Sequence, residues 1–365
     1  MKKRLLIYGA GAIGRGYVPW LFPSKDYEFS FVESNSVLCR ALQSKKVFTT
    51  FRTKNNRYEK LVCQIENCFL PGKEIPTKYD AIITAVGPRN TLALKDKLAK
   101  VDCPIVLFEN DMTLVNALRN LTGSTKIYFG IPDVITSNTA PQKLLDKDSL
   151  SLVTEDGECF VDSGAGELGG FINYVDEIEL KKQWMAKLYI HNTAHCVAAY
   201  LGSQCGKTYL HEGMQLPVVY NIVEGVMGEM KNMLHVKYNI ESEFVDYYAK
   251  KELSRFSNLL LYDPIIRVAR EPFRKLAPNN RLIGAAQLAL FSGIVPENLI
   301  IGILSAFLYD KADDSDYNIK YLVNALSPES FLKLIIRLNS HEALYLLILN
   351  RWDSIISKLN NLPYE

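Results

Sequence analysis

Neither sign of charge dominates this 365-residue sequence, which has 42 lysine and arginine residues against 40 aspartate and glutamate residues. A formal net charge of +2 provides no global field that would hold nucleic acid or an anionic membrane. Long hydrophobic runs are also lacking. The apolar stretch at 298–309 is shorter than the roughly 20 residues of a membrane helix, and the stretch at 331–350 carries charges at helical intervals, which predicts one core-facing helix. No secretory signal is expected, because glycines interrupt the N-terminal apolar run.

The cysteines form no CxxC pair, and their number, seven, is odd. They stand at positions 39, 63, 68, 103, 159, 196 and 205. This pattern argues against a disulfide framework and against a structural zinc site. It fits a reducing compartment, so we expect a cytoplasmic protein. The length predicts two domains, each able to bury its own core.

The first motif is the stretch "RLLIYGAGAIGRGYV" at 4–18, which predicts a strand, a glycine-rich turn and the start of a helix. Gly9, Gly11 and Gly14 form G-x-G-x-x-G, and Ile13 lies within the same turn. In a dinucleotide-binding fold this turn lets the backbone approach a pyrophosphate at the helix N-terminus. The second predicted strand ends in Glu33, 19 residues after Gly14. A carboxylate there would accept hydrogen bonds from the adenosine ribose and repel a 2′-phosphate, which favours NAD over NADP. The alternative is that Glu33 only caps the next helix or faces water.

Further apolar runs follow at helix-separated intervals, at 81–86, 104–110 and 126–131. They lack strict alternation, as is typical of parallel strands covered on both faces. After about residue 185 the pattern becomes almost wholly helical. We therefore predict an α/β protein, with a Rossmann-type doubly wound parallel sheet in an N-terminal domain at 1–185 and a mostly α-helical C-terminal domain at 186–365.

The stretch "KLYIHNTAHCVAAYLG" at 187–202 predicts a buried helix that nevertheless carries three polar side chains. At about 100° per residue, His195 lies about 80° and Asn192 about 140° around the axis from Lys187. An amine, an imidazole and an amide therefore share one side of the helix. Taken alone, such a pattern is most often a solvated face.

Together these features resemble the polyol-specific long-chain dehydrogenases/reductases. The resemblance is carried by "GAGAIGRG" (9–16), the K-x4-N-x2-H spacing of Lys187, Asn192 and His195, and "RFSNLLLYDPIIRVAREPFRKL" (255–276). "RLIGAAQLAL" (281–290) follows in the expected place, so the resemblance covers nearly the whole chain. It is closest to the members that act on mannitol 1-phosphate.

The resemblance implies a metal-independent reaction in which a lysine acts as general base while hydride moves to NAD. Lys187 would be that base, with burial expected to lower its pKa and keep the amine neutral. Asn192 would donate to the oxygen that becomes a carbonyl, and His195 would hold the neighbouring hydroxyl. Asp133 stands where the family carries a second asparagine or, in phosphate-specific members, an aspartate; the family's usual Asp-Arg is replaced by Ser137-Asn138.

Cofactor and substrate contacts are also implied. Val86 would approach a ribose of the cofactor and Asn110, after Glu109, would lie near the nicotinamide, unless "EN" is only a polar turn. Arg267 and Lys275, eight residues apart, would reach the polyol.

Two more arginines, Arg270 and Arg274, match the phosphate-type pattern. Locally, Asp263 and Pro264 predict an N-cap and first helical turn, which would place Arg267 and Arg270 on one face.

The sequence thus predicts an NAD-dependent dehydrogenase that interconverts mannitol 1-phosphate and fructose 6-phosphate. The alternatives are a family member acting on another polyol, polyol phosphate or hexuronate, and a non-catalytic NAD-binding sensor. Its partners would be small molecules, without nucleic acid or membrane, and the protein would be a monomer or weak dimer.

Overall fold

The computed structural model describes residues 1–73, 75–76, 78–166, 168–311 and 318–362. The chain divides into two compact units. The first comprises Met1–Gln183 and Leu260–Tyr262, and the second comprises Trp184–Leu259 and Asp263–Glu365. In the described part of the chain, no helix combines the length and the apolar character needed to cross a membrane.

Among the residues that the structure describes, the strands all lie in the first unit. They are β1 (Lys3–Tyr8), β2 (Tyr27–Val32), β3 (Val47–Lys54), β4 (Arg57–Gln64), β5 (Asn67–Phe69), β6 (Ala81–Thr84), β7 (Ile105–Leu107), β8 (Ile127–Asp133), β9 (Leu152–Glu155), β10 (Glu158–Asp162) and β11 (Asn173–Val175). The helices here are α1 (Val18–Leu21), α2 (Ser36–Lys45), α3 (Pro88–Ala93), α4 (Lys95–Leu98), α5 (Leu114–Thr122) and α6 (Gln142–Leu145). A π-helical segment, Ala12–Tyr17, precedes α1, and a 3₁₀ turn spans Ser163–Ala165.

The main sheet has the strand order β11-β10-β8-β7-β6-β1-β2-β5. From β5 to β8 all neighbours pair in parallel, and β10 pairs antiparallel with β8. Counted along the chain, the six parallel strands follow the order 3-2-1-4-5-6 of the Rossmann fold. The predicted doubly wound sheet is therefore confirmed. A smaller sheet, β4-β3-β9, accompanies it.

The central strands are buried on both faces, which explains their unbroken apolar runs. All four residues of β6 and all three residues of β7 are buried. Side chains on both faces of such strands leave water, so alternation with polar residues is lost. The apolar core of this unit collects around Leu5, Ile7 and Phe31 of β1 and β2.

The second unit is helical in its described part. Helix α7 (Glu177–Ala186) leads into it, and the segment Lys187–His191 is π-helical. The further helices are α8 (Asn192–Gln204), α9 (Leu210–Met214), α10 (Pro217–Tyr238), α11 (Ser242–Phe256), α12 (Ile265–Ala269), α13 (Pro272–Lys275), α14 (Ile283–Phe291), α15 (Glu297–Phe307), α16 (Ile319–Ala325), α17 (Pro328–Phe331) and α18 (Ala343–Asn360). A second π-helical segment, Leu332–Ile336, follows α17.

Helix α8 is the centre of the second unit, since α9, α10, α12 and α15 all contact it. Ten of its residues are buried. Helix α8 packs tightly against α15, where a methyl group on Gly302 would lie 2.4 Å from Cγ2 of Val197. Only glycine allows this spacing, so the position of α8 depends on it.

We expect Gly302→Ala to lower the free energy of unfolding by about 1–3 kcal/mol, because either Val197 or the α15 backbone must shift. Gly228→Ala, inside α10, is the matched control, since a methyl group there meets open space. It should leave stability unchanged or raise it by up to about 1 kcal/mol. Urea unfolding followed by circular dichroism measures both; equal stability of the two variants would refute the close-packing argument.

Candidate active site

The glycine-rich turn has the geometry that a dinucleotide needs. Gly9 has a φ of +96°, and a methyl group there would lie 2.5 Å from the carbonyl oxygen of Ala85. A methyl group on Gly14 would overlap the Gly9 carbonyl oxygen at 1.9 Å, so only glycine lets the helical segment pack on the turn. A methyl group on Gly11, by contrast, would meet no protein atom within 4 Å. The open side of the turn is thus at the glycine expected to face the pyrophosphate.

Two buried ionic side chains hold this turn through Ala10. The backbone N–H of Ala10 donates to Oε2 of Glu33 at 2.8 Å, and its carbonyl accepts a hydrogen bond from Nε of Arg15 at 3.0 Å. Burial lowers the pKa of Arg15 to about 10, so its guanidinium stays charged at neutral pH. Sequence reasoning missed Arg15, although its position inside the motif is a usable signal. Ile13 is half-buried against the apolar core.

Glu33 lies just after β2 and does not cap the following helix. Asn35 is that cap, and its side chain accepts hydrogen bonds from the N–H groups of Val37 and Leu38. The second oxygen of Glu33 accepts the N–H of Asn35 at 2.7 Å. Because an ionised carboxylate offers about four acceptor sites, it can still accept a ribose hydroxyl.

A second carboxylate, Glu109, holds the loop after β6. Its two oxygens accept the backbone N–H groups of Val86 and Gly87 at 3.0 and 2.8 Å, and the Thr91 hydroxyl donates to it at 2.7 Å. Burial raises the pKa of Glu109, and these hydrogen bonds oppose that shift. Glu109 therefore shapes the loop at Val86, while the predicted contact Asn110 is exposed.

Asp133 ends β8 and is 2% exposed. It lies at the carboxyl end of a parallel strand, the edge where ligands bind in such sheets. Ser137 is fully buried and donates to the carbonyl oxygen of Tyr262 at 2.7 Å. Its hydroxyl is therefore used within the first unit.

In the second unit, Lys187 and Asn192 are related by a π-helical turn. The backbone N–H of Asn192 donates to the carbonyl oxygen of Lys187, an i→i+5 bond. The 140° separation expected from an α-helix is therefore wrong, because five residues complete about one turn of a π-helix. Both residues are 7% exposed. A solvated face, the alternative interpretation, is inconsistent with this burial.

The amide of Asn192 has an unused donor. Its Nδ2 is buried and has no hydrogen-bond partner among the described residues. Leaving such a group unpaired costs on the order of 1–3 kcal/mol, so these groups are rare without a functional reason. An oxygen of a bound substrate would satisfy it.

His195, one turn further along α8, contacts residues that sequence reasoning did not place in the site. Its Nε2 lies 3.0 Å from Oδ2 of Asp263. His191, on the preceding turn, pairs through Nδ1 with Glu252, which in turn pairs with Arg255. No signal in the sequence linked these residues, because the histidines lie 61 and 68 positions from their carboxylates.

The basic stretch differs from the sequence prediction in two ways. Pro264, not Asp263, caps α12, and the cap makes no side-chain hydrogen bond; the Asp263 carboxylate instead pairs with His195 and with Nε of Arg267 at 2.8 Å. Helix α12 ends at Ala269, so Arg270 does not share a helical face with Arg267. Pro272 begins the separate helix α13.

Lys275, Arg274 and Arg281 form a cationic cluster next to α8. The pKa of Lys275 is lowered to about 7, mainly by burial and less by the charges of Arg281 and Arg274, while Cys196 opposes the shift. Lys275 donates to the carbonyl oxygens of Val268 and Arg270, and Nζ lies 5.6 Å from the Tyr200 ring centroid. The Arg281 carbonyl accepts the hydroxyl of Thr193, which anchors the cluster beside Asn192.

A nucleotide-binding turn on a parallel sheet, together with an amine, an amide and an imidazole on one buried helix, defines a dehydrogenase that uses a dinucleotide. Comparison with known proteins agrees. Residues 179–327 match the family model for the mannitol dehydrogenase C-terminal domain.

Two curated relatives span most of the chain. The mannitol-1-phosphate 5-dehydrogenase of Thermoanaerobacter pseudethanolicus is 31% identical over 335 residues, 84% of this chain and 86% of that protein. The enzyme of the same name from Geobacillus stearothermophilus is 27% identical over 95% of this chain and 98% of its own length. The chain therefore belongs to the mannitol dehydrogenase family, and it is an oxidoreductase that acts on a CH–OH group.

A solved structure shares the fold. Pseudomonas fluorescens mannitol 2-dehydrogenase, determined in a ternary complex with NAD and D-mannitol, aligns with a TM-score of 0.76 at 15% identity, covering 99% of this chain and 92% of its own.

The position of Glu33 predicts the cofactor preference. We expect NADH to exceed NADPH by at least ~10-fold in kcat/KM, about 1.4 kcal/mol, because the carboxylate repels a 2′-phosphate. Glu33→Gln, which removes the charge at nearly constant shape, should narrow this ratio. Glu28→Ala, an exposed carboxylate on the same strand, is the control and should leave it unchanged. Equal use of both cofactors by the wild type would contradict the assignment.

Proposed function

We propose that this protein interconverts mannitol 1-phosphate and fructose 6-phosphate with NAD and without a metal. The observation that carries the substrate assignment is the cationic cluster of Arg274, Lys275 and Arg281 beside the buried helix that bears Lys187 and Asn192. The names of the two curated relatives support the same substrate. The first unit would hold the cofactor and the second unit the substrate and the base.

The chemistry follows from the donor and acceptor groups on α8 and its π-helical start. Lys187 accepts the proton of the hydroxyl that is oxidised. The Nδ2 group of Asn192 donates to the same oxygen as negative charge develops on it, which satisfies the buried donor. His195 holds the neighbouring hydroxyl. NAD, held by the glycine-rich turn and Glu33, would supply the hydride acceptor for this oxidation, and Asp133 lies at the carboxyl end of β8 in the cofactor unit.

The three basic side chains of the cationic cluster outnumber the described carboxylates that pair with them. Glu271 pairs with Arg274 at 2.8 Å, whereas no carboxylate pairs with Arg281 among the residues that the structure describes. Burial lowers the pKa of Arg281, and Arg274 lowers it further. A phosphate dianion would offset this repulsion, since a guanidinium can donate two parallel hydrogen bonds to it.

The other basic residues are less available to a phosphate. The Lys275 amine already donates to two carbonyl oxygens, and Arg267 is paired with Asp263. Arg270 is exposed just beyond α12. Arg281 and Arg274 are therefore the strongest candidates for direct phosphate contact, with Arg270 as a third.

All seven cysteines are free, which supports the cytoplasmic location expected from the sequence. A monomer or weak dimer stays a prediction.

The phosphate assignment predicts a substrate-dependent effect of the arginines. Arg281→Met and Arg274→Met should each raise KM for fructose 6-phosphate by at least ~10-fold, the scale of one charge-assisted hydrogen bond, and leave the kinetics with fructose nearly unchanged. Steady-state oxidation of NADH with both ketoses measures this. Arg351→Met, which removes a half-exposed arginine paired with Glu297 elsewhere in the unit, is the matched control.

If both ketoses suffer alike in the Arg281 and Arg274 variants, the arginines are structural and the phosphate assignment fails. Wild-type turnover of another polyol or hexuronate at a higher kcat/KM than that of fructose 6-phosphate would replace the proposed substrate. An absence of turnover with every ketose would refute the proposed reaction.

A further inference from the structure

Asp263 is a buried carboxylate with two different partners in the second unit. It is 1% exposed. Its Oδ2 lies 3.0 Å from Nε2 of His195, and its Oδ1 accepts Nε of Arg267 at 2.8 Å. Its backbone carbonyl also accepts the N–H of Leu210 at 3.0 Å. The main-chain hydrogen bond and the contact with Arg267 thus fix the position of the Asp263 carboxylate independently of His195.

The charges around the contact between Asp263 and His195 determine the protonation state of each side chain. Burial alone would raise the pKa of Asp263, but the Arg267 guanidinium and the hydrogen bond from His195 outweigh it and lower the pKa. Burial lowers the pKa of His195 to about 4, with smaller contributions of the same sign from His191 and Arg267 and an opposing one from Asp263. At neutral pH the pair is therefore a carboxylate and a neutral imidazole.

An ionised carboxylate can only accept hydrogen bonds, so Nε2 of His195 must be the donor. A neutral imidazole carries one N–H, and its other nitrogen is an acceptor. Nδ1 of His195 is then that acceptor. No partner of Nδ1 occurs in the part of the chain that the structure describes.

The plane of the His195 ring is also fixed. The Phe256 ring stacks on it at a centroid distance of 5.0 Å and an interplanar angle of 19°. The His191 ring centroid also lies 5.0 Å from that of His195, at an interplanar angle of 54°. The direction of the Nδ1 lone pair is therefore set by the Asp263 hydrogen bond and by this stacking.

We propose that Asp263, held by Arg267, is a positioning residue that keeps His195 in the tautomer with Nδ1 as acceptor for a substrate hydroxyl. This inference rests on the proposed polyol chemistry. It assigns Arg267 an indirect role, because its guanidinium orients Asp263 and does not need to touch the substrate. His191 differs, because its Nδ1 is the nitrogen that pairs with a carboxylate. The two histidines thus use opposite ring nitrogens for their carboxylate contacts.

The tautomer can be measured without any substituted residue. In protein labelled with ¹⁵N-histidine, the imidazole nitrogen shifts of His195 should show a proton on Nε2 and none on Nδ1 at pH 7. His195→Gln assigns the signal among the five histidines. A proton on Nδ1 in the wild type would overturn the proposal, whatever the substrate is.

Asp263→Asn tests the consequence for catalysis. An asparagine has one acceptor oxygen, which cannot serve both Arg267 and His195, and its amide would donate to Nε2 and move the histidine proton to Nδ1. We expect kcat/KM for fructose 6-phosphate to fall about 10- to 100-fold, mainly through KM, with NADH affinity unchanged. Asp246→Asn removes an exposed carboxylate paired with Lys231 and is the control. An unchanged tautomer with wild-type kinetics would overturn the proposal.

A double-mutant cycle separates the indirect role of Arg267 from direct substrate contact. If Arg267 acts through Asp263, the double variant of Asp263→Asn and Arg267→Met should lose little more kcat/KM than the worse single variant. Independent, multiplicative losses would show that Arg267 binds substrate itself. Should the wild type prove inactive with fructose 6-phosphate, the proposed function fails while the tautomer measurement still decides the role of Asp263.

Discussion

The i→i+5 hydrogen bond from the N–H of Asn192 to the carbonyl oxygen of Lys187 is the contact on which the proposed catalytic arrangement depends. It inserts one residue into the helix that continues from α7 into α8, so that Lys187 and Asn192 lie about one π-helical turn apart. π-Helical turns are rare and recur at functional sites, because they realign side chains that α-helical spacing would separate. Ile190 and His191, within this turn, are buried.

The free-energy cost of burying carboxylates beside this helix is offset by pairing each of them with basic side chains. Glu252 is fully buried and pairs with both His191 and Arg255, and Asp263 is arranged in the same way with His195 and Arg267. Removing one partner of such a pair leaves a buried charge that costs about 3–5 kcal/mol, so the pairs must persist as units. The half-exposed Arg274–Glu271 pair is weaker and can exchange partners at little cost. Buried ion pairs thus lie beside the proposed catalytic groups, and a more exposed pair lies in the proposed phosphate region.

Features of the fold and of the candidate site that depend on local residue spacing can be predicted from the sequence. G-x-G-x-x-G specifies a turn within six residues, and the structure shows why Gly9 and Gly14 cannot carry a side chain. The apolar runs also predict the parallel sheet, although the strands β6 and β7 are shorter than the runs themselves. Conversely, the run at 331–350 contains two helical segments, because Arg337 adopts a φ of +65° and ends the first.

Long-range pairing was beyond sequence reasoning. Asp263 precedes a proline at a helix start, and this local pattern predicts an N-cap. In the structure the buried carboxylate instead pairs with His195 and Arg267. The spacing of Lys187 and Asn192 was evident, but its angular interpretation required knowledge of the π-helical turn. Local geometry can be inferred from residue types, whereas the partner of a buried charge depends on the tertiary fold.

The pH dependence of kcat/KM for mannitol 1-phosphate oxidation, compared between the wild type and Lys187→Ala, tests the central claim most directly. If Lys187 is the base, log kcat/KM of the wild type rises with unit slope through the pH range in which the amine loses its proton. The variant should then be at least ~100-fold slower, the usual scale for loss of a general base, and its profile should lack this rise. NAD affinity should stay unchanged, because the dinucleotide turn lies in the other unit. A variant that keeps the rising limb, or more than about a tenth of wild-type kcat/KM, a loss below ~1.4 kcal/mol, would contradict the account.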